Sequence, residues 1–253
     1  MKIFNLLLIY YYNKRIIKNF FFKKKIKSVD LVDVNEIFLP SENSKFKFPK
    51  EDVVTTGFFI NPSFGVVGMT TDYEAWILSC LAKSAKNIFE FGTCSGKTTA
   101  LFALNSPLET KIYSIILNPT DISNLSYGNR DIKVALNNAK KESIYDQFIF
   151  TNMSIKNKIN LIFQDSTKLN IDKFENLMDL IFIDGGHNYS CVKNDSEKSF
   201  RMIRNEGYIF WHDYNPSKRS CRDIVKYIHE ISKIKKIFHI KNTSLCYCKN
   251  LSF

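Results

Sequence analysis

The chain has 253 residues, a mass of 29.5 kDa and a formal net charge of +11. Its 45% hydrophobic content excludes wholesale disorder, nine glycines and six prolines exclude a collagen-like or linker-like chain, and six cysteines without C-x-x-C spacing exclude a disulfide scaffold or a zinc knuckle. The charge is uneven: residues 1–29 carry eight basic residues and no acid, which leaves +3 for residues 30–253 and argues against a broad nucleic-acid-binding face.

Residues 1–29 form a basic, apolar arm. Its run from Ile3 to Tyr12 is about half of what spans a bilayer, and Asn13-Lys14-Arg15 follows where a secretory cleavage site would need small residues. Aromatic and aliphatic residues interleaved with lysines over residues 1–27 match a segment that lies on a membrane surface. The other reading is an ordinary arm that packs on the body or frays; the expected location is the cytoplasm, with peripheral contact to the inner face of the membrane under the membrane-surface reading. Sparse, unpaired cysteines agree with a reducing compartment.

Residues 30–75 hold Pro40, Pro49, Gly57, Pro62, Gly65 and Gly68 and read as an irregular lead-in. The third segment, residues 76–253, reads as the main folded domain. Helical periodicity begins at Asp72 and places Trp76, Ile77, Cys80 and Leu81 on one face. Strands are then expected at Asn87–Phe91, Lys111–Leu117, Ile159–Phe163, Asp179–Asp184 and Tyr208–Trp211. Helices are expected at Lys97–Leu104, Tyr189–Ile203 and Arg222–Ile231. The stretches Ile237–Ile240 and Ser244–Tyr247 flank Lys241-Asn242-Thr243 and read as a closing hairpin, with Cys246 and Cys248 on one side of it as small core residues. Strands alternating with helices imply a Rossmann-like, doubly wound, mostly parallel sheet of seven strands with an antiparallel C-terminal hairpin.

The first strand runs into Glu90-Phe91-Gly92-Thr93-Cys94-Ser95-Gly96, which opens a helix. Glycines there allow a sharp turn and close approach to a ligand, and the helix start offers free N–H groups. A P-loop would fit Gly96-Lys97-Thr98 but needs glycine where Phe91 stands, and a dinucleotide loop needs glycine where Cys94 stands. Glu90, Asp165, Asp184 and Asp213 each lie at or just after a strand end, the edge where open parallel sheets bind ligands. They are expected to converge there, because four unpaired buried carboxylates have no structural rationale.

Glu90-Phe-Gly92-x-x-x-Gly96 resembles the first motif of class I S-adenosylmethionine-dependent methyltransferases. Ile181-Phe-Ile-Asp184-Gly-Gly-His187-Asn-Tyr189, then Val192, Asp195 and Gly207-Tyr-Ile-Phe-Trp-His212-Asp213-Tyr214, resembles a subgroup that methylates hydroxyls of small molecules and sugars. The likeness spans about residues 65–248. It implies S-adenosyl-L-methionine as cofactor, held by Glu90, Gly92, Thr93, Gly96, Asn118, Asp165, Ser166 and Asp184. It implies catalysis by His187, Asp184 and Asp213, and an Mg²⁺ or Mn²⁺ ion on Asp184, Asp213 and His212. The acceptor would be a small molecule or a glycan, not nucleic acid. One departure stands out: Ile116 occupies the place where the family has an acid for the cofactor's ribose, with Asn118 as a substitute hydrogen-bonding group. This departure sustains an alternative, a catalytically inactive methyltransferase-like scaffold at a membrane surface.

Overall fold

The computed structural model describes residues 30–32, 70–118, 145 and 147–250; the N-terminal arm and most of the lead-in lie outside them. Each expected element from Asp72 onward is present. In chain order they are β1 (Asp30–Val32), α1 (Asp72–Ala82), β2 (Asn87–Phe91), α2 (Lys97–Asn105), β3 (Lys111–Ile116), β4 (Ile159–Phe163), β5 (Met178–Ile183), α3 (Tyr189–Met202), β6 (Ile203–Trp211), α4 (Arg222–Ile231), β7 (Phe238–Ile240) and β8 (Cys246–Lys249). Short 3₁₀ turns at Ser154–Lys158, Ser166–Lys168, Asp172–Phe174 and Arg219–Cys221 join them.

The strands form one sheet in the order β1-β7-β8-β6-β5-β2-β3-β4. Seven of them build the expected mostly parallel sheet, with β8 antiparallel to both β6 and β7. The eighth, β1, adds a parallel edge beside β7 and comes from the stretch read as irregular. Three residues with a single parallel partner carry too little periodicity to read from sequence.

Alternation along the strands explains why the sequence shows unbroken apolar runs. Ile88, Ile112, Leu180, Phe182 and Phe210 face one side, where Ile77, Leu78 and Leu81 of α1 and Phe102 of α2 cover them. Phe89, Phe91, Ile181, Ile183, Ile209 and Trp211 face the other, under Val192 of α3 and Ile224, Val225, Ile228 and Ile231 of α4. Cys246 and Cys248 join this second cluster together, as their spacing predicts. Trp211 is fully buried and donates its Nε1–H to Ser196 Oγ at 2.8 Å, which fixes α3 on the sheet.

The order of strands reverses at β2, which has β3 on one side and β5 on the other. Connections leave the sheet in opposite directions there, so a crevice opens beyond the carboxyl ends of β2 and β5. No helix among the described residues is long and apolar enough to cross a membrane.

Candidate active site

The glycine loop follows β2. Gly92 has φ +100°, and a Cβ on it would lie 2.2 Å from the Asp184 carbonyl oxygen, so only glycine lets the loop pack against the end of β5. Gly96 has φ +83° and starts α2; a Cβ there would meet the Phe150 ring at 2.6 Å. Thr93 turns inward and shares a hydrogen bond with Ser114 Oγ at 2.7 Å. Lys97 does not take the place of a P-loop lysine: its ammonium is buried and donates to the Thr70 carbonyl at 2.7 Å. That contact latches the residue before the N-cap of α1 onto the start of α2.

The four strand-end acids separate, and the expectation that all four converge is corrected. Glu90 sits inside β2 on the same face as Ile88, so its carboxylate points at α2 rather than out of the sheet. It accepts hydrogen bonds from Thr99 Oγ1 and, at 2.6 Å, from Ser114 Oγ. Burial pushes its pKa up to about 8; the two hydroxyls pull against that, and the charge of Asp184 adds to it. Asp165 caps a 3₁₀ turn, accepting from Thr167 N–H at 2.9 Å and Thr167 Oγ1 at 2.8 Å. The adjoining Ser166 accepts from Lys198 Nζ at its carbonyl and from Asn194 Nδ2 at its hydroxyl, at 3.5 Å.

Asp184 and Asp213 do come together. They follow β5 and β6, which are neighbours, and candidate ligand atoms of Asp184, His212 and Asp213 all lie within 4.8 Å of one another. His212 Nδ1 lies 3.0 Å from Asp184 Oδ1 and 3.8 Å from Asp213 Oδ2. His187 Nε2 lies 3.2 Å from Asp213 Oδ2. Lys218 Nζ approaches Asp213 Oδ1 to 3.8 Å, and the Cys221 thiol points at the same oxygen from 3.7 Å. Burial opposes the charge of Asp213, but His187, His212, Lys218 and the thiol outweigh it and hold its pKa below the usual carboxylate range. The backbone of Asp213 is left-handed, at φ +60°. Such a conformation in a non-glycine residue marks a position fixed by its surroundings. A narrow cleft lined by Asp184, Gly185, Gly186, His187, Trp211 and Ile224 opens beside this group.

Glu74, which the sequence does not single out, joins this group through His212. His212 continues the alternation of β6 onto the face covered by α1, and its Nε2 lies 3.5 Å from Glu74 Oε2. Burial opposes the imidazolium, yet Asp184, Glu74 and Asp213 together raise its pKa well above the usual histidine value. Glu74 is itself buried. It closes a capping box with Thr71 and accepts from Ser244 N–H at 2.6 Å and Ser244 Oγ at 2.7 Å. Burial raises its pKa, but His212, Thr71 and Ser244 overcome that and hold it far below the ordinary value. Thr71-x-x-Glu74 is visible as a helix cap in the sequence, whereas its link to His212 spans 138 residues.

Ile116 is accommodated without an acid. It is buried with Ala100, Phe148 and Phe150 in a separate apolar cluster at the end of β3. Asn118 follows two residues on and is half-buried.

Residues 89–214 match a family model described as a methyltransferase domain. The chain belongs to the class I, S-adenosylmethionine-dependent methyltransferases. The methyltransferase shares its fold with an SAH-bound methyltransferase of Podospora anserina, at 13% identity and TM-score 0.52 over 73% of this chain and 80% of that one. It is similar in the same way to a candidate caffeoyl-CoA O-methyltransferase of Staphylococcus aureus, at 15% identity and TM-score 0.52 over 74% and 86% of the two chains. No curated protein matches the methyltransferase sequence. The matched residues run from β2 to the loop after β6, so they contain both the glycine loop and the Asp184–His212–Asp213 group.

Proposed function

We propose that the protein methylates a hydroxyl group of a small molecule or sugar, with Asp184, Asp213 and His187 around the reacting oxygen. The observation that carries this reading is the gathering of Asp184, His212 and Asp213 at the crevice where the family's fold takes its cofactor. A neutral hydroxyl, with a pKa of roughly 15, needs a base or a metal to become a nucleophile near neutral pH. His187 is the candidate base. Asp213 orients its ring through Nε2, as the third group of a nucleophile–base constellation does. S-adenosylmethionine supplies the electrophilic methyl group, and Gly92 and Gly96 shape the loop that would hold its amino-acid end.

The carboxylates of Asp184 and Asp213 also suit a hard divalent cation, since Mg²⁺ and its like take one or two protein acids and keep their waters. Asp184 is the more open of the two, with 23% of its side chain exposed against 10% for Asp213. A cation held there would lower the pKa of the acceptor hydroxyl. Both ring nitrogens of His212 already face carboxylates, so its part is to orient Asp184.

Ile116 favours one second reading, a fold that binds its ligand weakly or does not turn over, because the ribose hydroxyls lose a carboxylate acceptor. One experiment tests both. S-adenosylhomocysteine is titrated calorimetrically with and without Mg²⁺, and sugars and hydroxylated small molecules are then screened for methyl transfer. Binding together with turnover supports the proposal, and an Asp184→Ala variant with full turnover would overturn the mechanism. Absence of binding at millimolar ligand would favour the second reading.

A further inference from the structure

We propose that the protein docks on an anionic membrane surface through the turn Lys233-Ile234-Lys235-Lys236, at the edge of the sheet opposite the crevice. The basic arm is the second point of attachment.

The turn joins the end of α4 to the start of β7, and all four of its residues are exposed. Ile234 is 81% exposed, a large aliphatic side chain set between lysines. Lys235 Nζ lies over the Phe200 ring at 5.2 Å and Lys236 Nζ over the Phe238 ring at 5.0 Å, so both charges have fixed places beside Ile234. β8 is antiparallel to β7 with Tyr247 opposite Phe238, which brings Lys249 level with Lys236. Its Nζ lies over the Tyr208 ring at 5.7 Å.

The charge of this edge is one-sided. Residues 231–253 hold five lysines and no acid. Acids of the neighbouring elements are answered elsewhere. Asp179 pairs with Arg204 and Glu175 with Arg201. Glu230, in the last turn of α4, accepts from the Tyr189 hydroxyl. Glu206, whose N–H donates to the Asn250 carbonyl, and Asp30, the register partner of Phe238, are the acids beside Lys233, Lys235, Lys236 and Lys249.

The pairing of β1 brings the arm to the same place. Asp30, the first residue after the arm, lies beside Phe238, two residues beyond Lys236, and β1 runs parallel to β7. Eight basic residues without an acid are thus tethered next to the turn. The edge also faces the right way. β8 is antiparallel to both β6 and β7, so β7 runs with β6 and begins at the amino edge of the sheet. Asp184 and Asp213 follow the carboxyl ends, so a protein seated on this edge keeps its crevice open.

Each lysine close to an anionic leaflet strengthens binding about fivefold, and an apolar side chain among them enters the headgroup boundary. A nucleic acid would use the lysines but leave Ile234 in water. The bilayer satisfies both.

The full-length protein is sedimented with vesicles of phosphatidylcholine alone and of phosphatidylcholine mixed with phosphatidylserine. Binding to the mixed vesicles should be at least about tenfold tighter and should weaken with added salt. Lys233→Ala/Lys235→Ala/Lys236→Ala should lower it about a hundredfold, and Ile234→Ser should lower it by a smaller factor. Lys233→Arg/Lys235→Arg/Lys236→Arg keeps the charge and should bind like the wild type, which separates charge from damage to the fold. Equal binding to both vesicles, absence of binding to either, or loss of binding in the arginine variant would each overturn the inference. Full binding by the alanine variant would also overturn it and leave the arm as the attachment. Duplex RNA bound more tightly than the mixed vesicles, and released by the alanine substitutions, would assign a nucleic acid instead.

Discussion

Two buried glutamates show how differently the same side chain is used at the residue scale. Glu74 is charged and fully partnered, by Thr71, Ser244 and His212. Through His212 it acts on Asp184 as a positioning residue. Glu74→Gln keeps the shape but weakens the grip on the imidazole; turnover should fall by about tenfold or more, as small misplacements of reacting groups do. Thr71→Ala is the control. It removes the helix cap, at about 1 kcal/mol, and one hydroxyl donor to Glu74 Oε2, but keeps the Thr71 N–H donor and the Glu74 carboxylate facing His212, so turnover should fall much less than in Glu74→Gln. If both variants lost activity in proportion to their melting temperatures, Glu74 would be structural only. Glu90 is the opposite case. Its folded pKa of about 8 stands above the ordinary 4.5, so the folded state holds a proton that the unfolded chain has released. Its contribution to stability is therefore complete below about pH 4.5 and declines as pH rises toward 8. Glu90→Gln, which is neutral at every pH, should melt close to wild type at pH 5 and above it by several degrees at pH 8. A constant difference across that range would show that Glu90 is ionised in the fold.

At the scale of elements, the glycine loop is set by steric fit to a neighbouring strand. A methyl group on Gly92 would press on the Asp184 carbonyl at 2.2 Å in a left-handed backbone. Gly92→Ala should cost roughly 2 kcal/mol or more, lower the melting temperature by roughly 4–8 °C and weaken S-adenosylhomocysteine binding, measured by scanning calorimetry and titration. The same element shows what the sequence could and could not reveal. Asp184, His212 and Asp213 were legible as a group because they directly follow two apolar runs that had to pair as parallel strands. Glu90 and Asp165 lie apart from that group, because a position near a strand end says nothing of the direction of the side chain. Alternation turned Glu90 toward Thr99 of α2, and a local Asx-type cap claimed Asp165. Glu74, Lys218 and Cys221 were illegible as site residues. Glu74 reaches the site only through the packing of α1 over β6, and the other two through a turn with no periodic signal.

For the whole molecule, the Asp184–His212–Asp213 group sits where the fold is most firmly held. β2 and β5 are paired on both sides and covered on both faces, and Asp184 extends their pairing by donating its N–H to the Phe91 carbonyl at 2.8 Å. β4, at one end of the sheet, has a partly exposed pattern with Phe163 49% exposed, and β1, at the other, is three residues long. Stability in such a sheet grades from the centre outward, because central amides exchange only when the whole core opens while edge amides exchange through local fraying. In native-state hydrogen exchange, the hydrogen-bonded amides of Ile88–Phe91 and Leu180–Ile183 should therefore be the slowest and report the global unfolding free energy. Those of Asp30–Val32 and Ile159–Phe163 should exchange at least about tenfold faster. Saturating S-adenosylhomocysteine binds only the folded crevice and should slow the central set by the linkage factor, about a hundredfold at one hundred times its dissociation constant. The edge strands fray without opening the crevice, so their rates should stay the same. Equal slowing at the edges would mean that the sheet opens as one unit, with its centre no better protected than its rim.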